Sequence, residues 1–297
     1  MFEKRKVIVT LTTIPSRLKY LNETILSLVD QSANIDEIVL SLPIKSIREP
    51  CEGDPYKLKN ETIEILKKYN VTIWRTKKDY GPATKLLGIL ERELPKNLSK
   101  EEEPLIITVD DDKCYNKECV KNLLEGWKRN QNCVVSRMGS VLIQLSTKSK
   151  LYLSRKNMYD IINRYHEIIM RGNEIGTDKE IAVVFGTGGV LYRTSYFNDS
   201  IFDYIIKDKK FPKKKIFLID DIYISGYLSQ KGIVKKVIKF DMNNLDLKGR
   251  LLDVNSNNRQ INPLKNINTS QKNRKWSIDV IKYYEEFIVK KQNLLSQ

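Results

Sequence analysis

Histidine is almost missing from this sequence: His166 is the single copy among 297 residues. Cysteine is scarce as well. Cys51, Cys114, Cys119 and Cys133 form no C-x-x-C pair. Together these shortages argue against a zinc centre of the Cys/His type and fit reduced, structural thiols. No stretch reaches the roughly 18 apolar residues that a membrane-crossing helix needs. The start, "MFEKRKVIVTLTTIPSR", is basic and then apolar, as in a leader peptide. It lacks a small-residue cleavage site and runs through three threonines into Pro15, so it is expected to be a first β-strand. A cytoplasmic chain is expected on these grounds, with peripheral contact at a membrane as an added option. Internal repeats and long low-complexity linkers are lacking too.

Charge of one sign is not lacking. Lys and Arg number 52 against 37 Asp and Glu, a net of +15. Nucleic acid, an acidic substrate or an anionic membrane surface could answer that charge. The basic residues are dispersed, with the densest patch at Lys207–Lys215, "KDKKFPKKK". No zinc-finger, RNP or basic-zipper pattern accompanies them, so no specific nucleic-acid partner is expected. The patch reads as a solvated loop, or as an aid to an acidic or membrane-linked acceptor.

With 41% hydrophobic residues the chain can bury a large core. Strand-like and helix-like segments alternate through its first half. "VIVTLTTI", "DEIVLSLP", "VTIWRT", "EPLIITVDDD" and "CVVSRM" read as strands. Between them "RLKYLNETILSLVDQS", "NETIEILKKYN", "GPATKLLGILEREL" and "NKECVKNLLEGWKRN" carry helical spacing, with Pro82 suited to a first turn. This alternation predicts an α/β fold with a mostly parallel sheet, helices on both faces and right-handed crossovers. Beyond Gly139 it weakens. "VLIQLS" reads as a strand, "NMYDIINRYHEIIMRG" as a helix, and "AVVFGTGGVLYR" as strand, tight turn, strand. "KIFLIDDIYISGYLSQKG" reads as a strand entering a helix that Gly232 ends. A last helix is expected from Trp276 to about Asn293, packed on the domain or lying on an anionic surface.

The most informative stretch is "LIITVDDDKCYN", Leu105 to Asn116. An apolar strand runs straight into Asp110, Asp111 and Asp112, whose charges repel. In open α/β sheets ligands sit outside the carboxyl ends of the strands. Two residues apart in extended chain, Asp110 and Asp112 are expected on one side. Carboxylates converging there suit a hard divalent cation, Mg²⁺ or Mn²⁺, whose other ligands come from water and a diphosphate.

On four stations in order the chain resembles glycosyltransferases of the GT-A fold, close to the family-two-like enzymes. These are "TTIPSR" after the first strand, "KDYGPATKL" after the third, "VDDD" after the fourth, and "FGTGG…LIDD" in the second half. The resemblance spans roughly residues 7–237. It implies a nucleotide-diphosphate sugar donor, UDP-linked, and transfer with inversion to a glycan, lipid-linked or protein acceptor. It assigns the metal to Asp110 and Asp112, with Asp111 as a sugar contact. Thr12, Thr13 and Arg17 offer hydroxyls and a guanidinium to the base or phosphates. Asp79 would face the base or ribose, although it also suits a turn before Gly81-Pro82. Lys85 would reach the nucleotide. Gly188 and Gly189 would allow close approach of sugar or acceptor, and Asp220 would sit beside them, an acidic residue also suited to a helix start. Asp221 would be the general base that takes the acceptor's proton. Relatives often carry Glu-Asp where this chain has Asp220-Asp221, and some add a late histidine ligand that it lacks.

The implied organisation is a GT-A domain over residues 1–240, followed by an extension over 241–297. Within the domain, residues 1–135 form the nucleotide-sugar half and 136–240 a smaller acceptor-side, catalytic half. Two rivals remain: a sugar-1-phosphate nucleotidylyltransferase, whose glycine-rich loop after the first strand "TTIPSR" lacks, and a basic nucleic-acid-binding protein.

Overall fold

The computed structural model describes residues 5–144, 165–204, 220–241 and 252–253. The expected alternation is present. Strand β1 (Val7–Leu11) is followed by a 3₁₀ turn at Pro15–Tyr20 and helix α1 (Leu21–Val29). Next come β2 (Glu37–Pro43), α2 (Asn60–Lys68), β3 (Thr72–Thr76) and α3 (Thr84–Glu93). Then follow β4 (Leu105–Thr108), the short β5 (Lys113–Cys114), α4 (Cys119–Arg129) and β6 (Cys133–Ser136). Pro15 and Pro82 each sit in the opening turn of a 3₁₀ segment, where a missing N–H costs no helical hydrogen bond.

The second half adds β7 (Met138–Gln144), β8 (Tyr165–Arg171), β9 (Lys179–Glu180), β10 (Val183–Val184) and β11 (Val190–Arg193). It continues with α5 (Ser200–Tyr204), α6 (Asp220–Gln230), β12 (Val234–Val237) and β13 (Leu252–Asp253).

Eight strands form the main sheet in the order β3-β2-β1-β4-β11-β6-β12-β9. β3, β2, β1 and β4 pair in parallel, as do β6 and β12. β11 runs antiparallel to both β4 and β6. The carboxyl ends of β1 to β4, β6 and β12 therefore share one edge, and the chain entering β11 arrives at that edge.

Side-chain alternation divides the core between the two faces. Ile8, Ile106, Val134 and Tyr192 pack with Leu86 and Leu87 of α3 and Tyr223 and Tyr227 of α6. Val9, Ile107, Val135 and Leu191 pack on the other face with Leu21 and Ile25 of α1 and Leu123 of α4. Each such side chain, fully buried, contributes about 1.5–3 kcal/mol. The fold is thus the expected α/β type, a mostly parallel sheet covered on both faces as the GT-A resemblance implied. Gly88 lets α3 lie close to the sheet: a Cβ there would meet Thr76 Cγ2 at 2.7 Å and Ser41 Cβ at 2.9 Å.

A smaller antiparallel sheet, β10-β7-β8, stands beside the main one. Here the structure corrects the later part of the helix expected across residues 157–172; residues 157–164 lie outside the described residues. Tyr165–Arg171 is strand, paired with all seven residues of β7 from Met138↔Arg171 to Gln144↔Tyr165. Helical spacing in "YHEIIMRG" lost to a continuous ladder with a partner strand. His166 therefore lies on a strand. The two strands of "AVVFGTGGVLYR" form, but β10 joins the small sheet and β11 the large one.

α6 ends as expected, with Gly232 at φ +74°. β13 pairs antiparallel with β5, which sets Asp253 opposite Lys113, the residue after the aspartate triplet. The lysine patch 207–215, the strand expected at 215–219 and the helix expected at 276–293 lie outside the described residues. No described helix is long and apolar enough to cross a membrane.

Candidate active site

Four chain segments meet at the carboxyl edge. β4 delivers the aspartates, α3 contributes Lys85, the first turn of α6 carries Asp220 and Asp221, and the glycine turn at Gly186–Gly188 lies between them. Lys85 Nζ is 2.8 Å from Asp110 Oδ1 and 3.1 Å from Asp220 Oδ2. The first contact is a hydrogen bond; the second is an ion pair without hydrogen-bond alignment. Lys85 is only 6% exposed, so it links the triplet to α6 from inside the protein. Asp221 Oδ1 accepts the Gly186 N–H at 3.0 Å.

Gly186 leaves room for this cluster. A Cβ at that position would lie 2.7 Å from Lys85 Nζ and 3.3 Å from Asp221 Oδ1. Because the nearer clash is with the tip of a flexible side chain, Gly186→Ala is expected to push the ammonium off its carboxylates while sparing the fold. Thermal melting should change little while catalytic turnover falls. A large loss of melting temperature would show that the glycine serves packing instead. Gly189, at φ +85°, occupies the left-handed region that a side chain disfavours and completes the turn with an N–H bond to Gly186 O at 2.9 Å.

A second group surrounds the other two aspartates. Thr13 Oγ1 donates to Asp111 Oδ2 at 2.5 Å, and Arg17 Nη1 lies 3.0 Å from Asp111 Oδ1. The other end of the Arg17 fork pairs with Asp112. The chain turns at residues 111–112 rather than continuing extended. The alternation that would set Asp110 and Asp112 side by side is therefore absent. Asp110 is held by Lys85 and Asp112 by Arg17. Thr12 is 7% exposed and its Oγ1 has no partner among the described residues.

Asp79 stands apart from both groups. Its carboxylate oxygens accept the N–H groups of Ile47 and Gly81, each at 2.8 Å. That bond to Gly81 is the turn contact its sequence suited.

Several contributors carried no signal of their own in the sequence. Tyr115, 4% exposed, accepts the Asp110 N–H on its hydroxyl at 2.7 Å. Thr24 Oγ1 donates to the Asp111 carbonyl at 2.8 Å. Gly186 stood in the noted glycine turn, but its contact with Asp221 depends on a residue 35 positions away.

The electrostatics separate the carboxylates. Burial pushes Asp110 up, yet the Lys85 charge and hydrogen bond outweigh it and hold the group below the usual range. Burial opposes the charge on Lys85 as well, but Asp110, Asp220 and Asp221 raise it well above the ordinary lysine value. For Asp221 burial is the largest influence and the Asp220 charge adds to it; Lys85 offsets only part, and the carboxyl sits well above the usual carboxylate range. Some Asp221 surface still reaches solvent, but the dense protein around its carboxyl desolvates it all the same.

The donor set was weighed against a divalent cation. Among the described residues no three potential ligands converge. Asp110 and Asp112 still offer hard oxygens at the open edge, with side chains 26% and 39% exposed. Held by different partners, they would each offer one carboxylate to a cation that takes the rest of its shell from water and a diphosphate.

The chain matches no family model, and no curated protein at a significant level. Among solved structures it is similar to S. aureus TarS residues 1–349. The identity is 16% and the TM-score 0.41, over 79% of this chain and 58% of that one. The same TarS segment in complex with UDP gives 16% and 0.39 over the same shares. A 4-diphosphocytidyl-2C-methyl-D-erythritol synthase gives 11% and 0.44, over 85% of this chain and 99% of that one. Similarity of this degree says nothing of what this chain binds.

Proposed function

We propose that this chain is a metal-dependent glycosyltransferase that moves a sugar from a nucleotide-diphosphate donor, UDP-linked, to an acceptor hydroxyl with inversion. The observation that carries the reading is the meeting of Lys85, Asp110, Asp220 and Asp221 around the Gly186 turn. A buried cation there bridges a carboxylate held below the usual range at the end of a strand to an acidic pair, one member of which is raised above that range. Carboxylates shifted in opposite directions can divide the work into anion handling and proton transfer.

Asp221 takes the proton of the acceptor hydroxyl as that oxygen attacks the anomeric carbon. The bond from that carbon to the diphosphate oxygen breaks, and its electron pair leaves with the nucleotide. Asp110 and Asp112 would hold Mg²⁺ or Mn²⁺, which when bound supplies positive charge for the departing diphosphate. Thr12 offers its unpartnered hydroxyl to a phosphate oxygen. Arg17 holds Asp111 and Asp112 in place and keeps a cation at the phosphate side. Lys85 orients Asp110 and Asp220 together. The nucleotidylyltransferase reading is weaker, because the chain leaves β1 through "TTIPSR" with no glycine to cradle phosphates.

The test is UDP titration by calorimetry, with Mn²⁺ present and again in EDTA. UDP is expected to bind at least tenfold more weakly in EDTA. Equal affinity in both buffers would remove the metal from this reading.

A further inference from the structure

Among the described residues, two buried cations face carboxylates and a third, Lys235, donates to Ser229 Oγ at 2.6 Å. Lys85 meets Asp110 and Asp220, and Arg193 meets Glu103. Arg137 is 8% exposed, and its guanidinium has neither an ion pair nor a hydrogen-bond acceptor among the described residues. Its Nε is sealed from solvent and unpaired. The guanidinium instead lies over the Phe240 ring, 4.3 Å from the centroid. A charge buried without a partner is unfavourable unless something supplies the missing counter-charge.

The place of Arg137 suggests what does. It follows the last residue of β6 directly, at the edge where the site lies. Its N–H donates to Gly189 O at 3.4 Å, and its carbonyl accepts the Gly172 N–H at 2.9 Å, so the backbone is held on both sides. Val190 of β11 is opposite both Ser136 and Thr108. Arg137 thus leaves the sheet two strand spacings, about 10 Å, from the end of β4. The glycine turn lies between. A Cβ on Gly186 would meet Lys85 and Asp221, whereas one on Gly188 would meet Arg137 Cβ at 3.2 Å. The cation–π contact with Phe240 holds the guanidinium carbon over the ring and leaves the two Nη groups for a planar or tetrahedral oxyanion.

We infer that Arg137 anchors an oxyanion, carboxylate or phosphate, carried by the acceptor; the acceptor assignment rests on the transferase reading above. The donor diphosphate belongs to the triplet, on the far side of the glycine turn. An acidic acceptor also suits a chain of net charge +15.

Inorganic phosphate and acetate, titrated separately by calorimetry into the full chain with and without saturating UDP, test this. Saturable binding is expected for at least one of them, and the tighter of the two identifies the acceptor group as phosphate or carboxylate. Arg137→Lys keeps the charge, loses the fork, and is expected to weaken that binding at least tenfold; Arg137→Met should abolish it. UDP affinity should stay within twofold in both variants, which also reports an intact fold, and Arg137→Lys alone suffices if Arg137→Met does not fold. Three results would overturn the inference: no binding of either anion, equal affinity in wild type and Arg137→Lys, or displacement of the anion by UDP. A chain that binds phosphate through Arg137 yet fails to bind UDP would keep the oxyanion site and sink the transferase reading.

Discussion

Replacing Asp221 by Asn is expected to lower sugar transfer by about 10²–10⁴-fold, the contribution of a positioned general base. The amide keeps the size of the carboxylate and can still accept the Gly186 N–H on its oxygen. What it loses is proton affinity. UDP and metal affinity should stay near wild type, because Asp110 and Asp112 are untouched. Asp110→Asn should behave differently. It removes the carboxylate that Lys85 holds at 2.8 Å, so UDP binding should weaken along with turnover. The pH profile supplies an independent sign. The base works only when unprotonated, and burial with the Asp220 charge raises its pKa. Turnover should therefore fall as pH drops through a value above the ordinary carboxylate range, and the Asn variant should lack that limb. Measuring turnover and UDP titration for both variants decides the matter. Wild-type transfer in Asp221→Asn would place the base elsewhere.

The second large effect concerns stability. Glu103 is 1% exposed and serves as acceptor for one end of β11 and the turn beyond it. Arg193 Nε reaches its Oε1 at 2.5 Å, Thr194 Oγ1 its Oε2 at 2.7 Å, and the Ser195 N–H its Oε2 at 2.6 Å. Ser195 Oγ adds a bond at 2.9 Å. Glu103→Ala leaves the Arg193 guanidinium, itself 8% exposed, without its counter-charge. Breaking one side of a buried pair costs about 3–5 kcal/mol. Urea unfolding should show a loss of that order. Glu103→Ala/Arg193→Met should recover part of it, because the stranded charge is gone. A single-variant loss below about 1 kcal/mol would mean that water replaces the carboxylate and that the cluster contributes little.

Much of this architecture was legible in the chain. "VIVTL" and "LIIT" are apolar at every position but the threonines, and both became strands buried along their whole length. Leu21, Ile25 and Leu28 gave α1 its inward face. The position of the aspartate triplet at a strand end followed from the same local pattern, and so did Gly232 as a helix stop. Such features depend on neighbours within a turn or two of chain, where periodicity and backbone preference act.

The rest needed partners far away. Tyr165–Arg171 carries a pattern that suits a helix or a strand, and β7 decided it. Arg17 reads as a residue beside phosphates, yet it is spent on two aspartates more than 90 positions on. Lys85 was named from its station, but its bridging of Asp110 and Asp220 exists only because α3 and α6 pack on the same face of the sheet. The Glu103–Arg193 pair spans 90 residues, and nothing local marks either as buried. The sequence by itself determined the alternating elements of the first half and the edge of the sheet at which charge gathers. Which charge meets which, and that Arg137 meets none among the described residues, was decided by tertiary packing alone, because desolvation and ion pairing act through space rather than along the chain.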